Sequence, residues 1–151
     1  MTIRVESALF PLADYEDQEE VKRLLALCVW PEPSSRERAW ARYRDEACGL
    51  FGRLGESGLV GLIGIREVRV GEYELLHLAV RPSDRSRGIG SGMIAEWMRT
   101  RQAVQLTAET DAEAVGYYAK VGFRVYSLGE EYPGTERFRC VLRKREPCCE
   151  G

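Results

Sequence analysis

Apolar residues recur along the chain with two different periods, and the switches between them outline the secondary structure. Val21, Leu24, Leu25 and Cys28 fall at i, i+3, i+4 and i+7, the spacing of one helical face. Asp17 with Glu20 three residues on reads as that helix's capping box, Asp14 being an equally good start, and Pro31 and Pro33 stop it. A second helix is expected from Ser34, with Glu37 completing its cap, carrying Trp40 and Tyr43 on one side as far as about Glu46. Thr2–Ser7 suit a first strand.

From Cys48 the texture changes to CGLFGRL, a Gly-Glu-Ser-Gly turn, LVGLIGIREVRV, a second turn at Val70–Glu72, and YELLHLAV. Three consecutive strands with such short connections predict antiparallel pairing. Met93, Ile94, Trp97 and Met98 then line one face of a helix, and VQLTAE from Val104 forms a strand. Strand, crossover helix and strand together predict a parallel pair. Thr110 and Glu113 resemble a capping box for a helix through Val115, Tyr117, Tyr118 and Val121 that stops at Gly122. FRVYSL and RFRCVLRK complete the strands, joined by the loop GEEYPGTE, and the tail from Glu146 has no periodicity and is expected to be disordered. The fold class expected is α/β (α+β), one domain over residues 1–145 followed by a tail at 146–151.

Composition changes this picture little. At 151 residues, 44% hydrophobic, 30% charged and with a net charge of −2, the chain is an ordinary globular one, and its bulk charge gives no reason to expect a nucleic-acid or membrane partner. No apolar run is long enough for a membrane helix and the start lacks a signal-peptide layout, so the cytoplasm is the expected location. Five scattered cysteines without a Cys-x-x-Cys, and a single histidine, suggest free thiols and no metal site.

The candidate chemistry lies between Gly71 and Ile94, where an apolar strand empties into a turn with Arg81, Arg85 and Arg87 and the glycines Gly88, Gly90 and Gly92. Glycines let a backbone approach a ligand closely, and the free N–H groups of a helix's first turn favour an anion, so the stretch has the layout of a phosphate cradle. Gly90 to Ala95 matches the dinucleotide fingerprint G-x-G-x-x-A, with Glu109 about 20 residues on. In that fingerprint, however, the strand runs straight into its first glycine, whereas here about ten residues separate Val80 from Gly90.

The alternative pattern is Arg85-Ser86-Arg87-Gly88-Ile89-Gly90, preceded by Leu78-Ala79-Val80-Arg81-Pro82. It resembles the acetyl-CoA-binding motif of the GNAT superfamily of N-acetyltransferases, and DAEAVGYYAKVGF from Asp111 to Phe123 is similar to that family's later motif. The order of elements resembles the family over roughly Thr2 to Lys144. The resemblance implies a mostly antiparallel central sheet with one parallel pair splayed at the cofactor, helices on both faces, and acetyl-CoA as cosubstrate without a metal. It assigns Leu78, Ala79 and Val80, the loop residues Arg85 to Gly90, and Ser91 to the cofactor. Asp111 stands where many members carry an asparagine that contacts the pantetheine arm; an aspartate accepts but cannot donate, and can serve the helix N-terminus instead.

The resemblance also implies Tyr118 as the acid that protonates the departing thiolate, the Leu78 backbone N–H as the oxyanion donor, and Glu74 as base, with a water relay as the family's common substitute. Simple alternation puts Glu74, Leu76, Leu78 and Val80 on one strand face and Leu75, His77 and Ala79 on the other. His77 then sits on the apolar back, packed rather than catalytic, and Tyr117 is expected to pack as well. Glu72, Glu74, Glu109, Glu130 and Glu131 form an acidic mouth if the Gly129–Glu136 loop folds over the site, with Trp30, Trp40 and Tyr132 as an aromatic wall or as core. The implied function is acetyl transfer to a primary amine, expected to be small and cationic or a peptide amine; a homodimer is compatible with the same reading. The alternatives are a non-catalytic acyl-CoA-binding or regulatory module on the same fold, and a dinucleotide-binding oxidoreductase.

Overall fold

The computed structural model describes residues 6–144. Of the strand expected at Thr2–Ser7, residues 2–5 lie outside these residues and Glu6 and Ser7 belong to no strand, the first strand being Phe10–Pro11; the tail at 146–151 also lies outside them. Seven strands form one sheet in the order β1-β2-β3-β4-β5-β7-β6, from β1 (Phe10–Pro11), β2 (Cys48–Gly55), β3 (Gly58–Arg69), β4 (Glu72–Val80), β5 (Gln105–Asp111), β6 (Arg124–Tyr132) and β7 (Thr135–Arg143). All pairs are antiparallel except β4 with β5, joined by the crossover helix α3 (Ile89–Thr100). A single parallel pair in a mostly antiparallel sheet is not the doubly wound sheet a dinucleotide site needs, which removes the oxidoreductase alternative.

Each face of the sheet is covered because its alternate apolar residues must be buried. Helices α1 (Gln18–Ala26) and α2 (Pro33–Ala41) bury Val21, Leu24, Leu25 and Ala39 against Leu12, Leu62 and Ala79. On the other face α3 packs Ile94 and Trp97 over Ile63, Ile65, Leu75 and Leu106, and α4 (Val115–Val121) adds Tyr118 beside Phe123. Asp17 caps α1 by accepting the Glu20 N–H, as its spacing predicts.

Four details depart from the sequence reading. Glu32 precedes α2 and Pro33 occupies its first turn, so Ser34 lies inside the helix, which ends at Ala41 and gives way to a 3-10 turn at Arg42–Arg44. The Thr110–Glu113 box does not form; Asp111 Oδ1 instead accepts the N–H groups of Glu113 and Ala114 ahead of α4. The Gly129–Glu136 stretch is no lid, because β6 and β7 continue through it, pairing Glu130 with Glu136 and Tyr132 with Thr135 around a turn in which Gly134 has φ +81.

The fourth departure reaches the site. Gly64 pairs with His77 but Ile65 pairs with Leu75, so Leu76 bulges out of β4 without a partner. Neighbouring residues of β3 face opposite ways, and Leu75 and His77 must therefore do so too. Leu75 lies with Ile65 on the α3 face, whereas His77 joins Ala79 and Glu74 on the α1–α2 face, and Leu78 and Val80 face α3. The simple parity of Glu74 with Leu78, and of His77 with Leu75, is lost at this one residue.

Candidate active site

Beyond the bulge the two parallel strands part. Pairing between β4 and β5 runs from Glu72–Gln105 to Leu75–Ala108 and stops, leaving the β4 edge from Leu76 onward without a strand neighbour on that side. Unpaired backbone groups in a cleft are ready to bind a ligand. Two cavities occupy the opening, and they share Cys28, Leu78, Ala114 and Tyr118.

The first cavity, about 760 Å³, is lined by Leu78, Ala79 and Val80 of β4, then Arg85, Ser86, Gly88, Ile89, Gly90 and Ser91. Gly88 adopts the left-handed conformation, φ +76, as the cap of α3, and so turns the chain to present the helix's first amides to the cavity. A methyl group on Gly90 would come within 2.5 Å of the Tyr117 hydroxyl. The loop is braced from behind: buried Asp84 accepts from Arg81 and Arg87, and Arg87 also reaches Glu6. The Arg81 hydrogen bond and the charges of both arginines hold the Asp84 carboxyl below its usual range. Arg87, assigned to the cofactor by resemblance, thus spends its guanidinium on the brace, while Arg85 lines the cavity.

The second cavity, about 1100 Å³, lies between the α1–α2 connection and the splayed strands. Its walls include Val29, Trp30, Arg38, Arg42, His77, Glu109, Asp111 and Arg137. His77 reaches it because of the bulge, and its Nδ1 lies 2.5 Å from the Tyr43 hydroxyl. That contact needs Gly64, since a methyl group there would fall 1.8 Å from Tyr43 Oη. Burial, with the nearby Arg42 charge, lowers the His77 pKa to about 4, so the ring is neutral at pH 7.

At the joint, burial pushes the Tyr118 phenol up to about 12, which keeps its proton in place at neutral pH. Its ring is fixed edge-on between Tyr117 and Phe123, with centroids 5.4 and 5.3 Å away. Cys28 is exposed as a residue, but its sulfur sits within the cleft walls, and that burial pushes the thiol up to about 11 against the opposing influence of the Leu78 backbone. Glu74 is among the lining residues of neither cavity; its Oε1 is bound by Arg66 Nε at 3.0 Å.

The acidic mouth is not assembled. Glu72 pairs with Arg69, Glu74 with Arg66 and Glu109 with Arg139, Glu130 lies along the β6–β7 hairpin, and the side chain of Glu131 lies outside the described residues. Of the proposed aromatic wall only Trp30, 77% exposed, lines the second cavity; Trp40 packs against the α1–α2 core. Sequence reasoning missed Cys28, placed Tyr117 in packing although it also lines the first cavity, and put His77 on the wrong face. Among the described residues, no three His, Cys, Asp or Glu side chains gather as a metal site.

A cleft of this kind, with a glycine-opened helix on one side and a splayed parallel pair on the other, can be set against known proteins. The model of the acetyltransferase (GNAT) family matches residues 13–123. The chain belongs to the GNAT family. Solved GNAT structures share the fold throughout: an acetyltransferase of the family from Desulfovibrio desulfuricans superposes with a TM-score of 0.76 at 17% identity, covering 92% of this chain and 99% of that one. An aminoglycoside 6'-N-acetyltransferase complexed with coenzyme A gives 0.75 at 16% identity over 93% and 99%, and the aminoglycoside 6'-N-acetyltransferase from Enterococcus faecium gives 0.73 at 18% over 95% and 99%. No curated protein matches the sequence. No helix among the described residues is long and apolar enough to cross a membrane.

Proposed function

We propose that this GNAT protein is an N-acetyltransferase that binds acetyl-CoA in the first cavity and transfers its acetyl group directly to a primary amine entering through the second. The observation that carries this reading is the shared wall: two cavities on either side of the strand splay meet at Leu78 and Tyr118. The first-turn amides of α3, with Ser86 and Arg85, suit the pyrophosphate of the cosubstrate, and the unpaired β4 edge suits its pantetheine arm. Asp111, its Oδ1 spent on the Glu113 and Ala114 amides, supports the α4 entry rather than donating to that arm.

In the transfer, the amine nitrogen forms a bond to the thioester carbonyl carbon as the carbon–sulfur bond breaks. The Leu78 N–H meets the negative charge growing on the carbonyl oxygen, and Tyr118 gives its proton to the departing sulfur. The proton lost by the amine goes to water in the open cavity. Glu74, engaged with Arg66, serves as base only through such a water relay.

The residues common to both cavities, Cys28, Leu78, Ala114 and Tyr118, include no carboxylate among the described residues, and this favours one rival, an acyl-CoA-binding module that does no chemistry. A screen of amine acceptors read by release of free CoA thiol separates the two. Amine-dependent thiol release supports transfer; saturable CoA binding without release to any amine supports the module.

A further inference from the structure

The second cavity carries charges that the proposed reaction does not use. Three arginines line it, Arg38, Arg42 and Arg137, against two acids, Glu109 and Asp111. Both acids are occupied, Asp111 by the amides of Glu113 and Ala114 and Glu109 by Arg139 at 3.7 Å. The arginines are not matched in the same way. Arg38 donates to the neutral Ser35 hydroxyl at 3.3 Å, and neither Arg42 nor Arg137 has a carboxylate within 4.0 Å among the described residues. The lining therefore sets three guanidinium groups against two carboxylates, and Arg42 and Arg137 stand on it without an ion-pair partner among the described residues.

We propose that the acceptor is an amine that also carries a carboxylate, held by Arg42 and Arg137 on the cavity wall while its amine reaches Tyr118 and Leu78; this rests on the transfer reading above. A guanidinium presents paired donors in a fixed plane that match the two oxygens of a carboxylate, a complement that no polyamine offers. The proximity of Arg42 to the cavity interior has independent support, because its charge helps keep His77 unprotonated. Val29, Trp30, Ala39 and Ala41 supply apolar wall, so an amino acid with an apolar or aromatic side chain fits better than a small charged one. A polycationic acceptor would instead meet a lining whose three guanidinium groups outnumber its two carboxylates.

The test pairs amines that differ only in the carboxylate: phenylalanine with phenethylamine, and methionine with 3-methylthiopropylamine, with spermidine as the cationic extreme. Thiol release from acetyl-CoA is measured for each, and CoA affinity is measured separately on the same protein. The carboxylate member of each pair is expected to have the higher kcat/KM by about 10- to 100-fold, the range for hydrogen bonds to a charged group. Arg42→Gln and Arg137→Gln should each erase most of that preference through KM, with CoA affinity retained. A preference for the decarboxylated amines or for spermidine overturns the carboxylate inference and leaves acetyl transfer standing. CoA binding without thiol release to any amine overturns transfer and the inference with it.

Discussion

The two cavities of the cleft are built by opposite means. The first is lined mainly by one continuous stretch, β4 through the opening turn of α3, where Gly88 and Gly90 matter for what they lack, and is closed by Leu27, Cys28 and the α4 residues Tyr117 and Tyr118. The second is made of side chains from the α1–α2 connection, α2, β4, β5 and β7, drawn together only by the fold. A backbone site recognises a phosphate whatever surrounds it, so its motif is short and portable. A side-chain site is specific to the chain that makes it, and nothing local announces it.

The largest expected effect is on the backbone side. Gly90→Glu drives a side chain into the Tyr117 hydroxyl and sets a negative charge at the α3 N-terminus, so CoA affinity by equilibrium titration should fall by about 100-fold or more. Unchanged affinity would remove the cradle from the cofactor site. The matching change on the other side is Gly64→Ala, which displaces Tyr43 from its contact with His77 and should cost about 1–3 kcal/mol in denaturant unfolding, as overpacking does. CoA affinity should stay within a few-fold, since the strand partners of Gly64, Leu50 and His77, and the Tyr43 it would displace are not lining residues of the first cavity; a parallel loss of both would show that the two sides are not independent.

A smaller effect sharpens the contrast through pH. The His77 pKa falls from its ordinary 6.5 to about 4 on folding, so between those values the unfolded chain binds a proton that the folded one refuses. Stability is therefore full above about pH 6.5 and declines as pH falls toward 4, by about 2 kcal/mol at most once solvent screening is allowed for. In His77→Asn this part of the decline in melting temperature should disappear. A decline of the same size in the variant would mean that other groups carry it.

These regions also differ in how well the sequence reveals them. Gly88 and Gly122 are visible because a left-handed cap, φ +76 and +118, restricts which residues fit, and Gly90 because a side chain there would run into Tyr117. The element order and the parallel pair follow from periodicity and connection length. What stays hidden depends on pairing between strands. Leu76 looks like any strand residue, yet the single step it inserts carries His77 to the cavity and separates Glu74 from Leu78. Pro133 and Gly134 read as a loop, but the strands on either side keep pairing to the turn itself. Charge pairing is equally silent in one dimension: Glu72 and Glu74 look like an acidic rim until Arg69 and Arg66 claim them.

Tyr118 belongs to both cavities, at the point where cofactor and acceptor would meet. The most direct measurement is turnover and CoA affinity for Tyr118→Phe, taken on one preparation with the best amine from the acceptor panel. Loss of a general acid predicts a kcat lower by about 100-fold or more with CoA affinity within twofold of wild type. Wild-type turnover would contradict the placement of the reaction at this joint, and an equal loss of turnover and affinity would reduce Tyr118 to a wall of the cofactor site.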